Sequence, residues 1–336
     1  MFGKIYDALI LSEHRWLLPV VVTMTLLVLG LLVLSWLWSR EPEIFWVDTA
    51  EGERPAVIGY ATTNTMIRVT ETLLDKPGGF LRNDVAPPGV FLDNIPSWEV
   101  GALTQVRDLA RVMRNDYSRS QSQSTEDADL AEAEKLFFIG EDSWILPAAE
   151  SEYREGIDYL RSYETRLLDN NDADAQFFAR ADNLREWLGQ VEKRLGNLSQ
   201  ELTASVGQSR VNTDLAGESA ASAGGARDQA ADVLVKTPWL QLDNVLFEAR
   251  GSAWALVHFL RAAQFDFADV LEDKNATVSL RQIIRELEAS LEPLNSPVVL
   301  NGSGYGVFAN HSLVMASYLS RANAAVIDLR ELLDQG

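Results

Sequence analysis

The chain has 336 residues and a formal charge of −20, because 49 Asp and Glu outnumber 29 Lys and Arg. A surface this acidic repels phosphate backbones, so we expect no nucleic-acid partner. The absence of Cys excludes disulfides, thiolate nucleophiles, iron–sulfur clusters and Cys-containing zinc sites. The three His, at positions 14, 258 and 311, are too far apart in the sequence to suggest a metal site, and we expect no cofactor.

Residues 16–38 form an uncharged apolar run that is long enough to cross a membrane. At about 1.5 Å per helical residue, this run exceeds the hydrocarbon thickness of about 30 Å. Trp16 lies at one end and Trp36 and Trp38 at the other, as is typical of the two membrane interfaces. The run is longer than the apolar part of a signal peptide, and no small-x-small cleavage pattern follows it. We therefore expect an uncleaved signal anchor that passes once through a lipid bilayer.

The flanking charges favour a cytoplasmic N-terminus, residues 1–15, and an exported body. Lys4 and Arg15 precede the apolar run, whereas only Arg40 follows it closely. Because the positive-inside rule counts basic residues, this balance places the N-terminus in the cytoplasm and the body in the periplasm of a Gram-negative cell, with the anchor in the inner membrane. The charges of residues 1–38 cancel, so the whole −20 belongs to the body, which we expect to be held off anionic lipid headgroups.

Two parts of the exported region lack a strong apolar pattern. Residues 39–97 form an irregular membrane-proximal region with Pro clusters at 77–79, 87–89 and 95–97, and we predict one helix in it, over about 57–74. Residues 207–227 are rich in Ser, Gly and Ala and contain only two larger aliphatic side chains. Such a segment buries little, so we predict a flexible linker there.

From residue 98 to residue 336, apolar residues recur at steps of three and four, which predicts an all-α, elongated bundle. A repeat of 3.5 residues keeps one seam facing a partner, so these helices should pack nearly parallel or antiparallel, like a coiled coil. The two long helices beside the linker could then fold back on each other. The seams comprise Leu103, Val106, Ala110, Met113 and Tyr117; Phe177, Ala181, Leu184, Leu188, Val191, Leu195, Leu198 and Leu202; Leu242, Leu246, Ala249, Ala253, Leu256, Leu260, Ala263, Phe267 and Val270; and Met315, Leu319, Ala322, Val326, Leu329 and Leu333.

Local signals refine these helices. Thr237-Pro238 predicts a helix start and Leu291-Glu292-Pro293 predicts a stop. Ser124 and Thr125, followed by acidic residues, predict another start. Residues 251–260 are apolar around the full circumference, so we expect this part of a long helix to be buried on several sides.

A stripe of arginines is the most informative candidate site. Arg107, Arg111 and Arg114 lie at i, i+4 and i+7 on one helix face, and Arg119 follows. These guanidinium groups could hold a carboxylate, a phosphate or an acidic segment of a partner. The alternative that we favour is internal pairing with the acidic run just downstream, Glu126, Asp127, Asp129, Glu132 and Glu134.

Other local features favour structural roles. The glycines of GSGYG at 302–306 match no nucleotide-binding spacing and predict a tight loop. Asn170, Asp172 and Asp174 resemble the start of a calcium loop, but its sixth and twelfth positions are wrong. His258 is interpreted as a core histidine and His311 as a residue at a helix start. No catalytic pair stands out among the many carboxylates; the least unfavourable are Glu150, Glu152 and Glu155.

The stretch at 93–130, DNIPSWEVGALTQVRDLARVMRNDYSRSQSQSTEDADL, resembles the hallmark segment of an uncharacterised proteobacterial membrane-protein family, the domain-of-unknown-function family 2333. The similarity extends over nearly the whole chain and includes SWILPAAESEY at 143–153. It implies a bacterial inner-membrane protein without an established activity, and it supplies no catalytic residues.

Together these features favour a membrane-anchored, periplasm-facing structural or assembly protein of the cell envelope that acts through its helices. Heptad seams offer surfaces for a protein partner or for self-association. The alternative is a hydrolase of an envelope polymer such as peptidoglycan, which would use paired carboxylates from the acidic helices. A ligand-binding sensor is less favoured, because residues 1–15 offer no cytoplasmic output domain.

Overall fold

The computed structural model describes residues 17–47, 57–120, 125–169, 174–211, 232–296 and 298–335. In these residues the predicted all-α fold with one N-terminal apolar helix is confirmed. The predicted N-terminal segment 1–15 and the calcium-like positions Asn170 and Asp172 lie outside them. The α-helices are α1 (Leu17–Trp38), α2 (Tyr60–Asp75), α3 (Asn94–Val112), α4 (Ala128–Phe137), α5 (Ala149–Leu168), α6 (Ala181–Thr203), α7 (Leu242–Asp266), α8 (Ala268–Asp273), α9 (Thr277–Ser290) and α10 (His311–Asp334).

The predicted linker at 207–227 begins with regular structure. Strand β1 (Gln208–Val211) pairs antiparallel with β2 (Asp232–Val235), with Gln208 opposite Val235. Cross-strand hydrogen bonds pair the facing backbone groups of the two segments. Residues 212–227, the rest of the predicted linker, lie outside the described residues.

Helix α1 is exposed along its length, and one helix of the described chain is long and apolar enough to cross a membrane, at Pro19–Trp38. The side chains of α1 that are described lie mostly in the open, unlike those of a core helix. Only at its C-terminal end does it meet the body, where the Trp38 ring lies against Gly78. A Cβ at Gly78 would come within 2.7 Å of this ring, and φ is +93° there, so both space and backbone favour glycine.

Helices α2 and α5 run antiparallel. Asp75, the last residue of α2, pairs with Arg154 near the start of α5 at 2.6 Å. Asn64, near the start of α2, donates to Glu164 near the end of α5 at 3.0 Å. Helices α6 and α10 are also antiparallel, because Ser199 near the end of α6 donates to the carbonyl of Ala316 near the start of α10.

Helices α3 and α7 run parallel and cross very closely through two glycines. A Cβ at Gly101 would lie 2.0 Å from the carbonyl oxygen of Glu248, and a Cβ at Gly251 would lie 1.9 Å from that of Trp98. Any larger residue at these positions would force the helices apart. The expected burial of residues 251–260 is confirmed, since all ten are buried.

This arrangement gives the bundle two ends, which we name by their distance from α1. The proximal end, where Trp38 meets Gly78, holds the connections α2–α3, α4–α5, α6–α7 and α9–α10. The distal end holds the start of α2 and the connections α3–α4, α5–α6 and α7–α9. At the distal end the rings of Tyr117 and Phe267 pack 5.2 Å apart, which marks the parallel ends of α3 and α7.

Most seam positions predicted from apolar spacing are buried, including all six predicted in α10 and the six from Leu184 to Leu202 in α6. Partner choice differs from the expectation, because α6 packs chiefly against α10 and α7 chiefly against α3. The long seam predicted to Val270 is also interrupted, since α7 ends at Asp266 and α8 follows as a separate helix. These helices share one core with α2, so the core reaches into the region predicted to be irregular.

Several helix boundaries differ from the predicted ones. Helix α3 starts at Asn94, inside the region 39–97, and ends in a π-helical turn at Met113–Tyr117. Helix α4 is capped by Asp127, which accepts from the backbone N–H groups of Asp129 and Leu130, rather than by Thr125; Ser124 lies outside the described residues. Only a 3₁₀ turn, Trp239–Gln241, follows Pro238, and α7 begins after it. The predicted stop after residue 290 is confirmed.

Candidate functional site

The segment 39–47, which leaves α1, lies along one face of α7 and forms the centre of the candidate site. Arg250, Trp254 and His258 follow each other at intervals of four on α7, so they share a face. Their partners in the segment follow at intervals of two: Glu41, Glu43 and Phe45. The spacings agree because four helical residues rise about 6 Å and two extended residues about 6.6 Å.

Arg250 holds the start of this segment. Its Nε and Nη2 donate to the Glu41 carboxylate at 2.6 and 2.8 Å, and little of its side chain is exposed. The same guanidinium donates to the carbonyls of Ser290, Leu291 and Glu292 at the end of α9. These carbonyls have no partner within a helix, so Arg250 joins the outgoing segment, α7 and the end of α9 in one network.

His258 holds the far part of the segment, and its interpretation as a core histidine is confirmed. It is fully buried, with Nδ1 2.7 Å from the carbonyl oxygen of Trp254. The backbone N–H of Phe45 donates to Nε2 at 3.1 Å, and the Phe45 ring stacks on the imidazole at 3.9 Å between centroids. Burial lowers the pKa of His258 to about 3, so the ring is neutral, carrying its proton on Nδ1 and accepting at Nε2.

Two further arginines cover the end of the segment. Arg68 of α2 lies over the Phe45 ring, with Cζ 4.2 Å from the centroid, and donates to the carbonyl of Trp46 at 2.7 Å. Arg261 of α7 lies near the Trp46 ring at 5.6 Å. Arginine on an aromatic face adds a favourable electrostatic contact, so the segment is held on both sides.

A cavity of about 640 Å³ opens between this segment and the ends of α3, α7 and α9. Its walls are mainly apolar, with Pro42, Ile44, Phe247, Trp254, Leu294 and Val299 among the residues that line it. Glu41 and Glu43 supply its carboxylates, and Glu41 is already paired with Arg250. The described residues contain no cluster of His, Asp and Glu suited to a metal. A mainly apolar cavity with a few polar groups is the kind of site that can hold an apolar or amphiphilic group.

The arginine stripe on α3 is paired with acidic residues, as the favoured interpretation expects. Arg111 pairs with Glu134, Arg114 with Glu126 and Glu134, and Arg119 with Glu126. Asp127 and Asp129 of the same acidic run pair instead with Arg166.

Arg107, the remaining arginine of the stripe, has a different environment. It donates to the carbonyls of Phe137 and Ile139 at 2.7 and 2.8 Å, and it pairs with Glu141 at 3.1 Å. Its side chain is 16 % exposed, against 51 % for Arg111. The stripe therefore contains a structural arginine, Arg107, and a half-exposed one, Arg111.

The remaining candidates have structural positions. Glu150 accepts from the amide of Asn83 at 2.8 Å, which joins the start of α5 to the loop after α2. His311 opens α10, as predicted, and accepts at Nδ1 from the N–H of Leu300. The tight loop predicted at 302–306 is present between Asn301 and Asn310, which form an isolated antiparallel bridge.

Comparison with known protein families assigns the chain to a family. A family model described as an uncharacterized protein conserved in bacteria, DUF2333, matches residues 10–336. The chain belongs to the DUF2333 family. No curated protein and no solved structure matches it. The resemblance drawn from residues 93–130 and 143–153 is thereby confirmed.

The sequence pattern did not reveal the role of the segment 39–47, and the family gives no residue assignments for it. A signal was present, however. Arg250 and His258 are spaced by eight with Trp254 between them; His258 lies within the apolar stretch 251–260 and Arg250 directly precedes it. Polar groups on one line of a buried helix need a partner on that line. The sequence could not name that partner, which lies about 210 residues away.

Proposed function

We propose that this DUF2333 protein is a single-pass, membrane-anchored structural or assembly protein of the bacterial cell envelope. Helix α1 lies in the inner membrane, the N-terminus is cytoplasmic, and the body lies in the periplasm. The protein acts through helix-mediated contacts with a protein partner or with a second copy. It has no assigned catalytic residue.

The observation that carries this proposal is the coupling of α1 to the body. An exposed apolar helix of membrane-spanning length is followed at once by the segment 39–47. That segment is held on α7 by Arg250, Trp254 and His258. A short, tightly bonded connection holds the body at a defined position relative to the membrane. A flexible linker would instead let a tethered domain reach over a wide area.

Topology is tested with C-terminal fusions in a Gram-negative host. An alkaline phosphatase fusion should be active and a green fluorescent protein fusion dark, because the first folds in the periplasm and the second in the cytoplasm. The opposite pair of results, with both fusions stable, would place the body in the cytoplasm and refute the envelope role. Loss of the N-terminal segment by cleavage after Trp38, read by mass spectrometry of the intact protein, would refute the anchor.

The interaction claim is tested by mild cross-linking in cells, purification from detergent and mass spectrometry. Within this proposal, the arginine stripe (Arg107, Arg111, Arg114 and Arg119) is the candidate docking face for an acidic segment. Arg111 is the best probe, since it is the most exposed of the four. An Arg111→Glu variant that keeps its melting temperature and loses a stoichiometric envelope partner would support docking there. Retention of the partner would exclude this face.

A further inference from the structure

Four uncharged stretches of the sequence lie at the proximal end of the bundle. They are residues 85–92, 143–149, 237–242 and 293–320, and none contains Asp, Glu, Lys or Arg. In a chain of charge −20, a stretch of 28 residues without one charge is an unusual local composition. Each stretch bears exposed apolar side chains: Val90 and Phe91; Trp144, Ile145 and Leu146; Trp239 and Leu240; and Val298, Tyr305, Val307 and Phe308.

Contacts in the fold bring these stretches to one end. A cavity of about 280 Å³ is lined by Trp239 and Val298, which belong to two of them, and by Asp93, which directly follows a third. The fourth is tied to the same end because Asn83 donates to the carbonyl of Ser143 at 2.8 Å. The exposed apolar residues therefore share one end of the body.

The most exposed of these residues stand on a loop whose shape is fixed by hydrogen bonds. The N–H of Gly302 donates to the carbonyl of Ala309, and that of His311 donates to Leu300. The Asn310 side chain caps α10 and also donates to the carbonyl of Gly302. At the tip, Tyr305 is 107 %, Val307 99 % and Phe308 73 % exposed.

Folding of the body does not explain these exposed apolar side chains, because Tyr305 and Val307 pack on nothing in it and most of Phe308 is exposed. Isolated exposed apolar residues are common, but clustered ones mark surfaces that contact another phase or molecule.

The position of α1 identifies what covers this end. Trp38, the last residue of α1, lies against Gly78 at the same end, and Arg40 lies over the Trp36 ring at 3.9 Å. Tryptophan and tyrosine are enriched at membrane interfaces, where their rings lie at the level of the headgroups. We propose that the proximal end of the body lies in the interfacial layer of the bilayer through which α1 passes, with the loop 302–308 and Trp239–Leu240 inserted.

This inference depends on the proposed anchor, and the absence of Cys makes both testable in one series. Single nitroxide labels are placed by Val307→Cys and Leu240→Cys at the proximal end. Val278→Cys serves as the matched control, because Val278 is similarly exposed but lies in the first turn of α9, toward the distal end. Val33→Cys reports on α1 itself. The full-length protein is reconstituted in nanodiscs of phosphatidylethanolamine and phosphatidylglycerol.

Collision rates with a water-soluble nickel chelate and with oxygen are measured by electron paramagnetic resonance. At Val307 and Leu240 we expect severalfold fewer collisions with nickel, and more with oxygen, than at Val278. If Val33 is protected but Val307 and Leu240 match Val278, the anchor is correct and the interfacial contact is refuted. If Val33 is as accessible to nickel as Val278, the anchor itself fails. Protection of Val307 that appears only after addition of envelope proteins would assign this end to a protein partner and overturn the proposal.

Discussion

The two ends of the bundle differ in how their connections carry charge. At the proximal end, four stretches contain no charged residue and expose aromatic and aliphatic side chains. At the distal end, residues 266–274 alone hold five charged residues, and Asp127 and Asp129 form an ion-pair network with Arg166. The same helices connect both ends, so the difference lies in the loops.

This contrast shows that net charge describes a chain but not a surface. The expectation that a body of charge −20 is held off lipid treats the charge as evenly spread. Uncharged stretches lie where α1 leaves, whereas the charged residues of 266–274 at the opposite end are mainly acidic. Under the proposed anchor, repulsion from anionic headgroups is weakest at these uncharged stretches, so the proximal end is the one that can approach the membrane.

The largest expected effect comes from a buried ion pair at the proximal end. Glu99 is fully buried, pairs with Lys76 and accepts from the N–H groups of Leu81 and Arg82, which fixes the loop after α2. Glu99→Gln should destabilise the protein by about 3–5 kcal/mol, because Lys76 is left as an unpaired buried charge. Urea denaturation of the detergent-solubilised protein, followed by Trp fluorescence, measures this loss.

A distal ion pair provides the control for this comparison. Asp334, at the end of α10, pairs with Arg185, and both side chains are largely exposed. Asp334→Asn should cost less than about 1 kcal/mol, as exposed pairs do. Equal losses in the two variants would contradict the distinction between the buried proximal pair and the exposed distal pair.

The arginine stripe offers a graded version of the same test. Arg107→Gln removes charged hydrogen bonds to two backbone carbonyls at the proximal side and should cost about 1.5–3 kcal/mol. Arg111→Gln, one turn further toward the distal end, should cost less than about 1 kcal/mol, since half of that side chain is exposed. The two free energies of unfolding are compared under identical detergent conditions, and a reversed order would show that the pair with Glu134 matters more than its exposure indicates.

A Gly→Ala substitution should have opposite effects on stability at two helical glycines, because Gly101 lies at the close crossing of α3 and α7 and Gly196 does not. Gly101→Ala places a methyl group against the backbone of Glu248, so we expect a loss of about 1–3 kcal/mol. Gly196→Ala in α6 meets nothing closer than 3.7 Å and should stabilise its helix by about 0.5–1 kcal/mol. Thermal melting followed by circular dichroism detects both signs. An unchanged melting temperature for Gly101→Ala would mean that the two helices can move apart at little cost in free energy.

The last prediction concerns acid and the far part of the segment 39–47. The folded pKa of His258 is about 3, below its ordinary value of 6.5, so the unfolded chain binds this proton first as the pH falls. The stability that neutral His258 contributes is complete above pH 6.5 and is lost toward pH 3, at up to about 1.4 kcal/mol per pH unit.

His258→Gln tests this dependence directly. The variant should be less stable than the wild type at pH 7.5. At this pH His258 is neutral in both the folded and the unfolded chain, so the difference reports the lost packing on Phe45. Between pH 6.5 and pH 4 its stability should fall less steeply. Parallel curves for the two proteins across this interval would show that another group controls the acid response.

Local patterns in the sequence were enough to locate the long helices of this protein. Apolar spacing located the buried faces of α6 and α10, the uncharged run located α1, and the apolar circumference of residues 251–260 indicated deep burial. These succeed because the burial of a helix face depends on a local repeat, which any window of the chain displays. The favoured pairing of the arginine stripe also followed from local charges, since Glu126 and Glu134 are close in sequence.

The tertiary structure was needed to learn which helix faces pack against each other. An apolar seam specifies a face and not its partner, so the pairing of α6 with α10 and of α7 with α3 had no local sign. The bonds from Arg250 to Glu41 and from His258 to Phe45, like the contact between Gly101 and Glu248, join residues far apart in the chain. Such contacts form because the whole fold brings the groups together, and the same assembly gathers the four uncharged stretches at the end where α1 leaves.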